Sequence, residues 1–379
     1  LSRGLGDVYK RQQYIIDNTI ETETNLIVQT RSWGDLCDWL GLEDEKNDKS
    51  LVWEAYFIYD LELMAKMATV LGKVTDAEWF RELHAARKDF FNKTYIEPET
   101  GKTLFSAFVP EKKGSHIDIQ TSYVLPLAFN IIDEENRNKV IANLAETVRR
   151  ENTTDRGQQC PSYSLMTGFI GTSWINKALS DYGHSDLAYR LLQQTSYPSW
   201  LYSIEQGATT IWERLNSYTR TDGFGGNNRM NSFNHYSFGA VGAWMYNYSL
   251  GIQRDETFPG FKQFVLKPMP DPTGKMTYAR GYYDSMYGRI ESGWKVESGV
   301  IRYTFTVPAN TTATLYLPTA SLRDVREKTK PVRKCKGVEF ISEGNGEVVL
   351  KLLSGSYSFE VKKDYPLAAR KRKKYVFVR

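Results

Sequence analysis

Residues 52–91 read VWEAYFIYDLELMAKMATVLGKVTDAEWFRELHAARKDFF. Val52, Tyr56, Tyr59, Leu63, Met67 and Val70 recur every three or four residues, the spacing of one α-helical face. Gly72 ends that helix. Thr75-Asp76-Ala77-Glu78 has the form of a capping box opening the next, with Phe80, Leu83, Phe90 and Phe91 on its inner side. Two helices joined by a short turn make a hairpin.

The same punctuation recurs downstream. A helix over 120–130 carries Pro126 and is expected to kink there. Asp133 can cap the next helix, with Val140, Ile141, Leu144 and Val148 inward. Residues 171–182 and 185–194 pair around Gly183, and Phe238, Val241, Met245 and Tyr248 mark a last helix. The expectation is stacked helical hairpins, without the fixed period of a short-repeat solenoid. Between the pairs lie loops rich in Gly, Asn, Ser and Trp, at 31–49, 151–168 and 196–232. Structureless loops of that length are uncommon unless functional.

After Pro259 the texture changes. Residues 263–266, 301–307, 313–317, 347–352 and 357–361 read as strands, several alternating apolar and polar. Turns such as Pro308-Ala309-Asn310 separate them, so this half is expected to be an antiparallel β-sandwich. The boundary is expected within 251–259.

Composition narrows the function. Hydrophobic residues are 41% and charged residues 25% of the 379, as in ordinary globular domains. No apolar run is long enough to span a bilayer, so no membrane partner is expected. Cys37, Cys160 and Cys335 are odd in number and far apart, which argues against a disulfide framework. Four histidines (His84, His116, His184 and His235) fall in no metal-ligand spacing, so neither metal nor cofactor is expected. Aromatics reach 13%, with nine Trp and 24 Tyr, and serve either a core or the apolar faces of sugars. The net charge of +4 rests on the tail RKRKKYVFVR, which carries six positive charges. A solvated or non-native end explains that tail better than nucleic-acid binding.

The opening LSRGLGDVYKRQ reads as one frame of a common sequencing adaptor, so residues 1–12 are set outside the native fold. The native sequence is then expected to start near Gln13, in mid-protein. The resulting divisions are 1–12, 13–254 for the helical part, 255–363 for the β-sandwich and 364–379 for the basic tail.

Carboxylates in the loops are the candidate reacting groups: Asp35, Asp38, Glu54, Glu205, Glu213 and Asp222. Glu213 stands out. It follows Gly207-Ala208-Thr209-Thr210-Ile211-Trp212 and precedes Arg214, Asn216 and Tyr218. An aromatic wall and nearby donors tune and aim an acid. The plainer alternative is a carboxylate paired with Arg214. His235, in Asn234-His235-Tyr236, suits a sugar hydroxyl or else a satisfied core position. Trp33-Gly34-Asp35-Leu36-Cys37-Asp38-Trp39 sets two carboxylates and two indoles within seven residues, a sugar platform or a packed aromatic corner. Gly223-Phe224-Gly225-Gly226 lacks the strand-turn-helix setting of a phosphate or dinucleotide loop.

TSYPSWLYSIEQGATTIWERLNSY (195–218) followed by MNSFNHYSFGAVGAWMY (230–246) resembles the bacterial α-L-rhamnosidase family. SLMTGFIGTSWINKALSDYGHSDLAYRLL (164–192) resembles the helices just before, and ARGYYDSMYGRIESGWK (279–295) the start of the C-terminal sandwich. The resemblance implies a mainly α fold, an (α/α)6 six-hairpin barrel incomplete on its N-terminal side, followed by an antiparallel β-sandwich. It implies hydrolysis of terminal α-L-rhamnose with inversion, and a rhamnose-containing oligosaccharide or glycoside as partner. The family's general base falls on Glu213 beside Trp212, and its sugar-contacting histidine on His235. The Asp-Trp of its GDW-type loop falls on Asp38-Trp39, with Asp35 the alternative because Leu36-Cys37 is inserted; Trp33 belongs to the same loop. The family's general acid sits in an acid-rich motif ahead of a Trp-Gly-Asp, and no such motif follows Gln13. The chain alone is therefore expected to be inactive. The alternatives are another (α/α)6-barrel glycosidase, glucuronyl hydrolase or trehalase-like, and a non-catalytic carbohydrate-binding protein.

Overall fold

The computed structural model describes residues 3–29, 36–225, 230–328 and 330–362. The chain forms two compact units, Leu1–Ala240 and Val241–Arg379.

The first unit is built from helices. They are α1 (Arg3–Asn18), α2 (Lys49–Val70), α3 (Val74–Tyr95), α4 (Gln120–Ala128) and α5 (Glu134–Arg149), then, after a two-residue hairpin of β1 (Asn152–Thr153) and β2 (Gln159–Cys160), α6 (Phe169–Thr172), α7 (Ile175–Asp181), α8 (Ser185–Gln193) and α9 (Trp200–Glu205). The pairs α2/α3, α4/α5 and α7/α8 are the expected hairpins.

Local chemistry sets their ends. Asp48 caps α2: one oxygen accepts from Ser50 N at 2.9 Å, the other from Ser106 N at 2.6 Å. Gly72, at φ +69°, reverses the chain, and Lys73 N donates to Ala68 O at 2.9 Å. That tight turn restarts the helix at Val74, so Thr75-Asp76-Ala77-Glu78 lies inside α3 and forms no cap. Asp133 stands at the N-cap of α5 without a side-chain cap bond. Instead Asn92 Oδ1 receives the Asp133 N–H at 3.0 Å.

The stripe expected on α2 is displaced. Val70 is 87% exposed, whereas Leu51, Ala55, Ile58, Leu61, Ala65 and Ala68 are buried. Tyr56 and Tyr59 serve a second contact. Tyr59 stacks on Phe129 at 4.4 Å, and Trp174 Nε1 donates to Tyr56 Oη at 3.0 Å. A helix packed on two sides carries no single apolar face. Glu54 lies between them, paired through both oxygens with Arg87 of α3. Arg87 also donates to Asn25 Oδ1 and Asn25 O, closing the fold over 20–27. Glu54 is therefore a structural ion.

Helix α1 runs without a break through the division set at residue 12. Tyr9 meets Phe80 edge-on at 5.6 Å, and Arg11 reaches Asp60 at 3.3 Å. Helix propagation needs only competent residues beside a formed turn, whatever their origin.

The second unit opens with α10 (Val241–Trp244) and a π-turn at Met245–Ser249, then holds β3 (Ile252–Arg254), β4 (Gln263–Leu266), β5 (Tyr278–Ser285), β6 (Gly288–Glu297), β7 (Val300–Val307), β8 (Thr312–Leu317), β9 (Val325–Glu327), β10 (Lys330–Pro331), β11 (Val338–Gly344), β12 (Glu347–Leu352) and β13 (Gly355–Lys362). The six-stranded sheet runs β10-β9-β13-β7-β6-β5 and the five-stranded sheet β11-β12-β8-β4-β3. In β7, β8 and β12 alternate residues are buried, as a sandwich core requires. Among the described residues all strand pairs are antiparallel except β4 beside β8. The helical end of 241–249 belongs with this unit because Trp294 Nε1 donates to Ser249 O at 2.8 Å. The unit division therefore falls before the 254/255 boundary read from sequence.

Candidate active site

Residues 210–217 and 231–238 run side by side as an irregular pair. Glu213 N donates to Ser232 O and His235 N to Ile211 O, each at 2.8 Å. The side chain repeats the tie: Ser232 N donates to Glu213 Oε2 at 2.8 Å. Oε1 makes no hydrogen bond with the described residues. Glu213 is only 9% exposed, so a fixed carboxylate keeps one oxygen for another partner. Arg214 turns elsewhere, its Nε donating to Met230 O at 3.2 Å, so the pairing of Glu213 with Arg214 is not formed.

Behind Glu213 stands an aromatic row. Trp212 meets Phe233 edge-on at 5.3 Å, Phe233 meets Phe224 at 5.6 Å, and Phe224 meets Tyr218 at 5.3 Å. Trp212 is 7% exposed and acts as wall, with little ring surface for a ligand.

His235 stacks against Phe169 at 4.7 Å and against Tyr236 at 5.3 Å. Its Nδ1 accepts from Ser237 N at 3.3 Å. In the neutral ring the proton is then on Nε2, ready to donate. Phe169 has no counterpart among the candidates read from sequence. It lies 66 residues before His235, and no local pattern announces it.

Asp38 explains how Phe169 is held. Its Oδ1 accepts from Ile170 N and Gly171 N at 2.9 Å each. Its Oδ2 accepts from Gly168 N at 2.8 Å and from the Thr121 hydroxyl. Phe169 N donates to Trp39 O at 3.0 Å. A β-carbon on Gly168 would sit 2.3 Å from the carbonyl oxygens of Asp38 and Trp39, so only glycine fits there. The Asp38 carboxylate is 1% exposed and its donors are all internal. Burial pushes its carboxyl up while the hydrogen bonds from Thr121, Gly171 and Gly168 pull it down, and the rise wins. Sequence reading gave Asp38 to a sugar; in the structure its two oxygens accept from the backbone N–H groups at the start of α6.

Trp39 is different. It is 39% exposed and lines a cleft of about 410 Å³ together with Asp44, Asp155, Arg156, Tyr197 and Arg214. Trp33 and Asp35 lie outside the described residues. Glu205 ends α9 in an exposed position, and Asp222 sits in an exposed turn accepting from Thr219 and Thr221. Neither joins Glu213. Glu43, which sequence reading passed over, is buried with its carboxyl pushed up to about 7 by loss of water.

A unit of paired helices, with Glu213 and His235 in its loops, is followed in sequence by an antiparallel β-sandwich unit. Residues 2–249 match the family model for the bacterial alpha-L-rhamnosidase six-hairpin glycosidase domain, and 251–331 that for the C-terminal domain. The chain belongs to the bacterial α-L-rhamnosidase family.

It is 32% identical to an alpha-L-rhamnosidase of Formosa agariphila and 35% to one of Streptomyces avermitilis, each over 86% of this chain. The chain spans about a third of these curated relatives, 33% and 28% of their lengths. The crystal structure of the Streptomyces avermitilis α-L-rhamnosidase complexed with L-rhamnose superposes with a TM-score of 0.77 at 32% identity, covering 95% of this chain and 31% of that one. The α-L-rhamnosidase of Dictyoglumus thermophilum gives 0.76 at 28% identity, covering 96% and 37%.

Proposed function

We propose that the whole protein hydrolyses terminal α-L-rhamnosides with inversion, and that this chain supplies the general base, Glu213. The observation that carries the reading is the pairing of Glu213 with Ser232, which fixes one oxygen and leaves the other uncommitted. Two relatives named alpha-L-rhamnosidase, aligned over 86% of the chain, support the choice of sugar.

Inversion needs two carboxyl groups on opposite faces of the sugar, far enough apart for a water molecule. In this reading Glu213 Oε1 takes a proton from that water as it attacks the anomeric carbon. The Ser232 N–H aims the carboxylate. His235 Nε2 donates to a rhamnose hydroxyl, and stacking against Phe169 and Tyr236 holds the ring in place. The acid that protonates the leaving oxygen is proposed to come from outside these residues, because no acid-rich motif precedes Trp33-Gly34-Asp35. The chemistry requires no cofactor.

An aryl α-L-rhamnoside assay of the full-length gene product tests the reading, with other aryl glycosides beside it. Rhamnose release with an inverted anomer is expected. Release of another sugar alone would reject the rhamnoside assignment. Turnover by the 379-residue chain alone would reject the external acid.

A further inference from the structure

The 410 Å³ cleft beside residue 214 is polar in an organised way. Its size falls in the ordinary range for a small-ligand site. Trp39 and Tyr197 supply ring surface. Two arginines, Arg156 and Arg214, line it, with Arg214 Nε held by Met230 O at 3.2 Å. Both act electrostatically on the Tyr197 hydroxyl, which burial first of all pushes up to about 12. Among the described residues neither arginine makes an ion pair, although Asp44 and Asp155 line the same cleft. Asp155 is committed to the chain: its Oδ2 accepts from Glu45 N at 3.0 Å, and its Oδ1 is enclosed. Asp44 and Asp155 are instead engaged by the backbone N–H groups of Asp38 and Glu45, which leaves both arginines without a carboxylate among the described residues.

We propose that this cleft is a subsite for an acidic sugar, a uronate ring whose carboxylate meets Arg156 and Arg214 and whose hydroxyls meet Asp44. Guanidinium forks match carboxylates geometrically, and carboxylates accept from hydroxyls. Trp39 supplies the apolar surface for the ring. The inference rests on the saccharide reading above for its class of ligand only, and on none of the residues assigned to turnover.

The test is a titration of the 379-residue chain with methyl glucuronide and methyl glucoside, followed by calorimetry and tryptophan fluorescence at low salt. The glucuronide is expected to bind about tenfold more tightly or better, as a charged hydrogen bond implies. Added salt should shrink that preference, because the site is open to water. Arg156→Ala should bring the two sugars to equal affinity. Arg156 is exposed in the Asp155–Gly157 turn, so the variant should keep the parent circular-dichroism spectrum. Trp39→Ala should weaken both sugars alike. Equal affinity in the parent chain, or binding of neither sugar, overturns the proposal. So does a preference that survives Arg156→Ala, or inorganic sulfate displacing the glucuronide at equal concentration, which marks a bare anion site. The measurement needs no turnover, so an inactive rhamnosidase and a missing subsite give different results.

Discussion

Replacing Asp38 by alanine separates two jobs for one residue. In the structure its carboxylate receives three backbone N–H groups and one hydroxyl, all internal. An orphaned buried donor costs about 1–3 kcal/mol. Four such losses summed would overshoot, because water can enter the space vacated and the buried charge disappears with its own desolvation cost. The expected loss is about 3–5 kcal/mol in the helical unit. Residues 168–171 should loosen and release the Phe169 ring from His235. Urea unfolding followed by tryptophan fluorescence reads this, since seven of the nine tryptophans precede residue 240. The two units need not unfold together, so the transition should be fitted for each. Asp38→Asn keeps one acceptor oxygen and should fall between. An Asp38→Ala protein within about 1 kcal/mol of the parent would refute the reasoning, since a buried donor left unmatched costs at least that. If that stable variant also lost rhamnose binding, Asp38 would be a sugar contact after all.

Glu213→Gln in the full-length protein should lower kcat about 10²–10⁴-fold while rhamnose still binds, the loss expected of a general base. Unchanged kcat would remove Glu213 from the chemistry. His235→Ala should raise KM more than it lowers kcat, because the ring is assigned to a hydroxyl present before and after the step. Glu43 has its folded pKa raised to about 7 from 4.5, so the folded state holds the proton more tightly. The sign follows: its contribution is full below about 4.5 and is lost as pH rises through 7, a change on the order of 3 kcal/mol. Glu43→Gln should flatten stability between those values, and an unaltered pH profile would contradict the burial argument. Arg87→Leu leaves Glu54 buried without its partner and should cost about 3–5 kcal/mol, read by thermal unfolding.

The sequence by itself determined the local elements. Spacing of three and four residues marked the α2/α3 and α7/α8 hairpins, and alternation of two marked β7, β8 and β12, because these periods are properties of the backbone. It also singled out Glu213 and His235, from the residue types that flank them in the chain, but not Ser232 and Phe169, which hold them from 19 and 66 residues away. What lay beyond it was every relation between distant segments. The parallel pairing of β4 with β8 depends on where two strands 46 residues apart come to rest. The capping box at Thr75 was displaced because Gly72 allowed a shorter turn. Asp38 looked like a sugar ligand while its only visible neighbours were Trp39 and Asp35. Folding brought it to Gly168, Ile170 and Gly171, more than a hundred residues away, and their N–H groups took both of its oxygens. Buried donors must find acceptors, and which acceptor they find is decided by packing.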